Sequence, residues 1–239
     1  MKGFRKLALL GWFMVWIGGI QVGMAQWVSH GPPGGDVRAV TINPQNTSIL
    51  FVGSSEGGVY KSEGWVYKSI DGGANWNQMN IGVESSTVNA LAVDPLTTTT
   101  VYAGTGGGVY KSSNSGDSWK LINSGLNNST LSLAIDPQNP ATIYAGTINA
   151  GVYKSTDGGE NWTPINNGLT TGGYVTTLAI DPKASSTIYA GAVPAEISSP
   201  DGGPPLRIGG GAYKSTDRGE LDPHYKRPAG IRRRPNHRS

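Results

Sequence analysis

The stretch "VYKSTDGGENWTPINNG" (Val152–Gly168) decides the fold, because the chain contains related copies of it. Its centre has the form Ser-x-Asp-x-Gly-x-x-Trp, and similar stretches begin at Ser69 and Ser112. The copies place a tryptophan every 43 residues, at Trp76, Trp119 and Trp162. Self-similarity at a fixed period of this size indicates a repeat architecture, in which each repeat forms one structural unit.

The residues on either side of this stretch show that each repeat has the pattern of four short strands. The first strand ends in Asn-Pro or Asp-Pro, the second contains Tyr-Ala-Gly or a variant, the third contains Tyr-Lys-Ser, and the fourth follows the tryptophan. Short apolar runs between Gly, Pro, Asn and Asp turns predict strands, and four strands in about 43 residues are the size of one propeller blade. The sequence therefore predicts an all-β fold, a β-propeller with blades at residues 37–85, 88–129 and 131–174 and an incomplete fourth blade at 175–220.

Composition agrees with this fold and excludes several kinds of site. The 239 residues include 36 Gly and 15 Pro, and no run has the periodicity of an amphipathic helix. There is no Cys, so a disulfide, a thiol nucleophile and a Cys-ligated metal are all excluded. The acids of the repeat also fail the alternate spacing of a calcium loop. We expect no metal and no cofactor, and a stability that comes from burial.

The N-terminus has the pattern of a signal peptide. Three basic residues precede an apolar run at 7–20, and small residues precede a cleavage site after Ala25. The run is shorter than the roughly 20 residues that a membrane-spanning helix needs. We expect a signal peptide at 1–25, a lead-in at 26–36, export to the periplasm or the extracellular space, and no stable membrane insertion after cleavage. An uncleaved membrane anchor is the alternative.

The net charge of +3 comes from the two ends of the chain. The signal region holds three bases, and the tail from Asp222 onward holds six bases and one acid. The remaining body is mildly acidic, so we expect no nucleic-acid binding by the folded part.

The last repeat, "AYKSTDRGELDPHYKRP" (Ala212–Pro228), starts like the others and then loses its tryptophan. Codons for residues 221–228 can be chosen so that a frame shifted by one base reads "WTPIING", close to the residues that begin at Trp162. We therefore expect residues 221–239 to be a shifted reading frame, disordered, with the native gene continuing into further repeats. On this view the fourth blade lacks its outer strand. The alternative is a genuine basic tail that binds an anionic surface.

The repeated turn resembles the Asp-box, or BNR repeat. This motif is found in bacterial sialidases, xyloglucan-cleaving glycoside hydrolases, the sortilin lumenal domain and the photosystem II stability and assembly factors. The resemblance extends over residues 37–220. It implies a β-propeller whose ring has six or more blades, so that the chain is a fragment of a larger ring. It also implies that the boxes lie at the blade periphery, away from the ligand face.

We expect the box residues to be structural. A carboxylate or amide can accept hydrogen bonds from nearby backbone N–H groups, Gly permits the positive φ of the turn, and the tryptophan covers the hairpin. The predicted structural residues are Ser69, Asp71, Gly73, Trp76, Ser112, Asn114, Gly116, Trp119, Ser155, Asp157, Gly159, Trp162, Ser215, Asp217 and Gly219.

The sequence presents no catalytic constellation. A glycosidase needs two acids that face each other across the sugar, and no pair of acids outside the repeat pattern can be recognised as such a pair. A sialidase needs an arginine cluster, and the mature chain before the tail has only Arg38, Arg207 and Arg218. His30 is the only histidine before the tail, which excludes a credible Ser-His-Asp arrangement. We therefore assign no catalytic residue.

Departures from the repeat are the candidate binding positions. A long loop at 193–210 interrupts the fourth repeat, and a duplicated "VYKS" precedes the box of the first repeat. Long loops on a regular scaffold often contain binding residues. The candidate residues are Trp65, Tyr174, Glu196, Asp201 and Arg207.

These features predict an exported, non-enzymatic β-propeller that presents loops to a protein or polysaccharide partner. One alternative is a fragment of a secreted glycoside hydrolase, xyloglucanase-like or sialidase-like, whose candidate acids would be Asp36, Glu196 and Asp201. The other alternative, an assembly factor for a membrane complex, comes from the family resemblance alone.

Overall fold

The computed structural model describes residues 31–32, 36–55, 65–80, 82–84, 87–169, 172–197, 205–208, 210–217 and 220–221. The predicted signal peptide at 1–25 and the tail from 222 lie outside these residues, as do Asp201 and Gly219. The described chain is built of strands and turns, and contains no helix. Accordingly, nothing in this part of the chain is a helix of the length and hydropathy needed to cross a membrane.

The described strands form four four-stranded antiparallel sheets, each with its strands in chain order, and one two-stranded hairpin, which confirms the predicted all-β propeller architecture. Blade 1 contains β1 (Asp36–Ile42), β2 (Leu50–Ser55), β3 (Val66–Ser69) and β4 (Asn77–Gln78). Blade 2 contains β5 (Val88–Val93), β6 (Val101–Thr105), β7 (Gly108–Ser112) and β8 (Lys120–Leu121). Blade 3 contains β9 (Thr130–Ile135), β10 (Ile143–Thr147), β11 (Val152–Ser155) and β12 (Thr163–Pro164). Blade 4 contains β13 (Tyr174–Ile180), β14 (Ile188–Val193), β17 (Gly211–Asp217) and β18 (Glu220–Leu221), and a separate hairpin joins β15 (Ala195–Ile197) to β16 (Leu206–Ile208).

The turn after the first strand of each blade is closed by its Asn or Asp side chain. Asp94 Oδ1 accepts hydrogen bonds from the backbone N–H groups of Leu96 (2.8 Å) and Thr97 (2.9 Å). Asn43, Asp136 and Asp181 accept bonds two and three residues onward in the same way. These side chains replace strand hydrogen bonds at the point where the chain reverses.

The core lies between the blades. The second strand of each blade packs against the first strand of the next, and three clusters of buried side chains fill the three junctions. Glycines in the second strands permit this approach: a Cβ built on Gly53 would lie 2.5 Å from Val88 Cγ1, and one on Gly146 would lie 2.7 Å from Val175 Cγ1. A larger residue at these positions would push the blades apart.

Blade 4 differs from the others at its outer edge. We predicted that it lacks an outer strand, and in this respect the prediction is wrong, because Glu220–Leu221 pairs with β17. In blades 1–3 a full box turn separates the third and fourth strands, whereas in blade 4 only residues 218–219 do so. The blade is still incomplete, since no box tryptophan follows. A small apolar cavity lined by Ile165, Leu169 and Tyr213 occupies the junction of blades 3 and 4.

Candidate binding face

Each Asp-box turn is held by hydrogen bonds among its own residues. In blade 3 the Ser155 hydroxyl donates to Asp157 Oδ1 (2.7 Å) and accepts from the backbone N–H of Gly159 (2.9 Å). Asp157 also accepts from the backbone and side-chain N–H groups of Asn161, at 3.0 and 2.8 Å. Gly159 has φ +93°, in the left-handed region that favours glycine. The contacts join residues two to four apart, so the turn closes locally.

The boxes of blades 1 and 2 use the same bonds. Ser69, Asp71, Gly73 and Asn75 repeat them in blade 1, with Ser69 Oγ 2.7 Å from Asp71 Oδ1. Blade 2 has Asn114 in place of the acid, and its Oδ1 accepts from the backbone N–H of Ser118 (3.0 Å). In blade 4, Ser215 is buried and Asp217 ends β17.

The box carboxylates are held in their charged form. Hydrogen bonds from the Asn161 side chain and backbone, and then from Ser155, lower the pKa of Asp157 to about 2. The backbone and side chain of Asn75, followed by Ser69, lower the pKa of Asp71 to about 2. A general acid or base works best with a pKa near the working pH. These values therefore support a structural role for the boxes over a catalytic one.

The box tryptophans connect neighbouring blades. The Trp162 ring lies against its own box, where a Cβ built on Gly159 would be 3.6 Å from Trp162 Cζ2. The ring is also buried in the junction with blade 2, where its indole Nε1 donates to the Ile122 carbonyl (2.8 Å). Trp119 donates to the Met79 carbonyl of blade 1 at the same distance. The tryptophan of each of these boxes thus ties its blade to the preceding one, while Trp76 is half-buried.

The antiparallel sheets place the boxes and the candidate binding residues at opposite ends of the blades. Box turns and Asx-Pro turns share one end. The connections from second to third strand, and from each blade to the next, lie at the other end, which we call the loop face. Trp65 precedes β3, Tyr174 begins β13, and the β15–β16 hairpin follows β14, so all of these belong to the loop face.

Three of the candidate residues lie together on blade 4. Tyr174 pairs with Val193 across the sheet, and both side chains are exposed. The hairpin starts at Ala195, two residues after Val193, and sets Glu196 opposite Arg207 in register. Glu196 is exposed. The loop face of blade 4 therefore combines an aromatic ring, an aliphatic side chain and a Glu/Arg strand pair.

Trp65 lies on the same face of the propeller but on blade 1, at the other end of the row of blades. Its ring is half-buried and packs edge-on against Tyr67, with centroids 5.8 Å apart. Its carbonyl accepts the backbone N–H of Ser54 (2.9 Å). These contacts give Trp65 a packing role within its own blade, and the structure does not bring it to Tyr174.

Sequence reasoning missed an asparagine that shapes the loop face. Asn123 Oδ1 accepts the backbone N–H of Val109 (2.9 Å), and its Nδ2 donates to the Gly107 carbonyl (2.8 Å). Asn166 makes the same two bonds in blade 3, to Val152 and Ala150. The sequence does contain a pattern that could have predicted this role: an asparagine stands four residues after each box tryptophan, at Asn80, Asn123 and Asn166. These side chains brace the loops between the second and third strands.

A groove of about 500 Å³ runs along the innermost strands of the four blades. Its lining is almost wholly aliphatic, with proline at the ends of the strands and no carboxylate side chain among the described lining residues. Within the described residues, no three His, Cys, Asp or Glu side chains come together as a metal site. The acids nearest the groove, such as Asp94, accept hydrogen bonds in their own turns.

Comparison with known proteins identifies relatives at the level of sequence family and of fold. The family model of Sortilin-Vps10, described as "Sortilin, neurotensin receptor 3", matches residues 64–188. No curated protein sequence matches the chain. An ancestral GH74 enzyme is similar in structure, with 26% identity, a TM-score of 0.60, and alignment over 81% of this chain and 24% of that enzyme.

Two further structures show the same fold at lower identity. The GH74 xyloglucanase from Xanthomonas campestris matches with a TM-score of 0.60 and 18% identity, over 82% of this chain and 31% of the xyloglucanase. A chain of the nidogen/laminin complex matches with a TM-score of 0.51 and 15% identity, over 69% of this chain and 60% of that one. The chain thus spans about a quarter to a third of these two GH74 structures.

Proposed function

Because the chain belongs to the Sortilin-Vps10 family, we propose that it is an exported, non-enzymatic β-propeller that presents its loop face to a polysaccharide or protein partner. The observation that carries the proposal is the loop face of blade 4, where exposed Tyr174 and Val193 adjoin the Glu196–Arg207 strand pair. Binding residues are typically placed on loops that a rigid scaffold positions. Here the scaffold is a four-stranded sheet, and the hairpin extends from it.

The chemistry of this face suits a ligand that is partly apolar and partly hydrated. A tyrosine ring offers an apolar surface with a hydroxyl at its edge, and the exposed carboxylate of Glu196 supplies hydrogen-bond acceptors. Sugar chains and protein surfaces both present such a mixture. The 26% identity with a GH74 enzyme favours a polysaccharide as the first ligand to test.

The principal alternative is a glycoside hydrolase fragment, which the similarity to the two GH74 structures favours. Hydrolysis needs two carboxyl groups about 5–9.5 Å apart on either side of a sugar. The groove is lined by aliphatic side chains. The box and turn carboxylates accept hydrogen bonds from nearby N–H groups. These arrangements support binding over hydrolysis. The assembly-factor alternative and the export of the chain stay predictions.

Two measurements test the proposal: titration calorimetry with xyloglucan oligosaccharides, and an assay for released reducing ends. We expect saturable binding without release, and Tyr174→Ala to weaken binding by roughly tenfold, equivalent to about 1.4 kcal/mol. Leu96→Ala is the control, because Leu96 is also an exposed apolar residue but lies in the Asp94 turn, at the end of the blades opposite the loop face. If the chain releases reducing ends and Glu196→Gln abolishes the release, the hydrolase alternative is correct. Equal effects of Tyr174→Ala and Leu96→Ala would contradict the assignment of the loop face.

A further inference from the structure

The outward face of blade 4 has the same pattern as the faces that bind the next blade inside the chain. The second strand of every blade carries an aromatic residue at one register position, namely Phe51, Tyr102, Tyr144 and Tyr189. The first three are buried, with Tyr102 only 2% exposed, whereas Tyr189 is 44% exposed. Blades 2, 3 and 4 bury the aromatic residue of the blade before them. Tyr189 is therefore a junction residue whose partner blade is not among the described strands.

A lysine on the third strand belongs to the same pattern. Lys111 Nζ lies 5.6 Å from the centroid of the Tyr102 ring and donates to the Gly158 carbonyl in the box of blade 3 (3.1 Å). The Tyr102 hydroxyl donates to the same carbonyl (3.3 Å). Lys214 lies 5.8 Å from the centroid of the Tyr189 ring in the same way. Blade 4 thus carries the cation and aromatic pair that, in blade 2, contacts the following box.

A recess completes this outward face. The glycine that follows the aromatic residue by two positions receives a side chain of the next blade: a Cβ on Gly104 would lie 2.8 Å from Thr130 Cγ2. On blade 4 the described atoms within 4 Å of a Cβ on Gly191 belong only to Thr177 of its own sheet. Tyr189, Gly191 and Lys214 line a shallow cavity at this place. We call these three residues the trailing face.

The complementary half of the junction is exposed on blade 1. The first strands of blades 2–4 offer aliphatic side chains to the preceding blade, and Val88 and Val175 are buried there. At the matching positions of β1, Val37 is 49% exposed, Val40 60% and Ile42 49%. We call these three residues the leading face. The equivalent residues of neighbouring blades meet at each of the three described junctions, as Gly53 meets Val88 and Gly146 meets Val175, and this supports the complementarity of the trailing and leading faces.

We infer that the trailing face of one copy of this chain binds the leading face of a second copy. The contact reproduces the junction that the chain makes three times internally: Val37 enters the recess at Gly191, and Tyr189 and Lys214 meet the box turn at Gly72. Such a contact joins two different surfaces, so it forms a closed ring where the rotation allows and otherwise continues to further copies.

A complementation experiment on the purified full-length chain tests this inference by light scattering after size-exclusion chromatography. Tyr189→Asp blocks the trailing face, and Val40→Asp blocks the leading face. We expect the parent to associate, each variant alone to be monomeric, and an equimolar mixture to form a heterodimer, because each variant keeps the face that the other lacks. Both residues are exposed, so neither change should prevent folding.

Controls separate this contact from other association. Leu96→Asp introduces the same charge at an exposed aliphatic residue in the Asp94 turn, outside both faces, and should leave association unchanged. Lys214→Glu and Val37→Asp form a second pair if either first variant has a changed circular dichroism spectrum. A parent that stays monomeric at all concentrations, association that survives Tyr189→Asp, or a mixture that stays monomeric would each overturn the inference. Association through the apolar N-terminal run would persist in both variants and would count against it.

Discussion

Replacement of Trp162 by alanine is the most direct test of how the blades are held together. The indole is buried in the junction of blades 2 and 3, in a cluster that includes Val109, Ile122 and Leu126. Truncation leaves a cavity in this cluster and removes the donor to the Ile122 carbonyl. Tryptophan-to-alanine changes in protein cores cost about 3–5 kcal/mol. This is a large part of the roughly 5–15 kcal/mol that stabilises a typical domain.

The expected loss can be measured by urea unfolding, followed by far-UV circular dichroism so that the missing fluorophore does not matter. A loss of about 3–5 kcal/mol corresponds to a fall of about 6–20 °C in Tm for a protein of this size. Trp76→Ala is the matched control, since it removes the same ring from a half-buried box position and should cost less than half as much. A Trp162→Ala protein that melts within one or two degrees of the parent, or equal losses for the two changes, would refute the packing argument.

Three other predictions concern the box, the last blade and the N-terminus. The pKa of Asp157 is about 2 in the folded chain, below about 3.9 in the unfolded chain, so its stabilisation is present above about pH 4 and is lost as the pH falls towards 2. Asp157→Asn, which copies the box of Asn114, should therefore reduce the loss of Tm between neutral and acidic pH; an unchanged pH profile would contradict this. Replacing residues 221–228 by the blade 3 residues that follow Glu160 should raise the Tm, because a tryptophan would pack against the apolar residues around Ile165. Genomic DNA that lacks Trp-Thr-Pro codons in the alternative frame would refute the frameshift. Mass spectrometry of exported protein should find Gln26 at the N-terminus, and an intact Met1 there would contradict cleavage.

The sequence by itself determined the repeat and its local turns. The 43-residue period, the Asn-Pro and Asp-Pro ends and the Ser-x-Asp box predict where each blade turns. They suffice because the stabilising bonds join residues two to four apart, as between Ser155 and Gly159. A pattern of neighbouring residues can report such bonds without any knowledge of the rest of the chain.

The tertiary structure decided everything that depends on contacts between repeats. Trp162 reaches back 40 residues to Ile122, and this contact shows that the ring joins two blades. The grouping of Tyr174, Glu196 and Arg207 follows from strand pairing across a long loop, and so could not be obtained from their spacing. Tyr144 and Tyr189 both stand in the sequence Thr-Ile-Tyr-Ala-Gly, yet Tyr144 is buried and Tyr189 is exposed. The physical reason is that burial depends on whether a neighbouring blade covers the residue, and that neighbour lies a full repeat away along the chain.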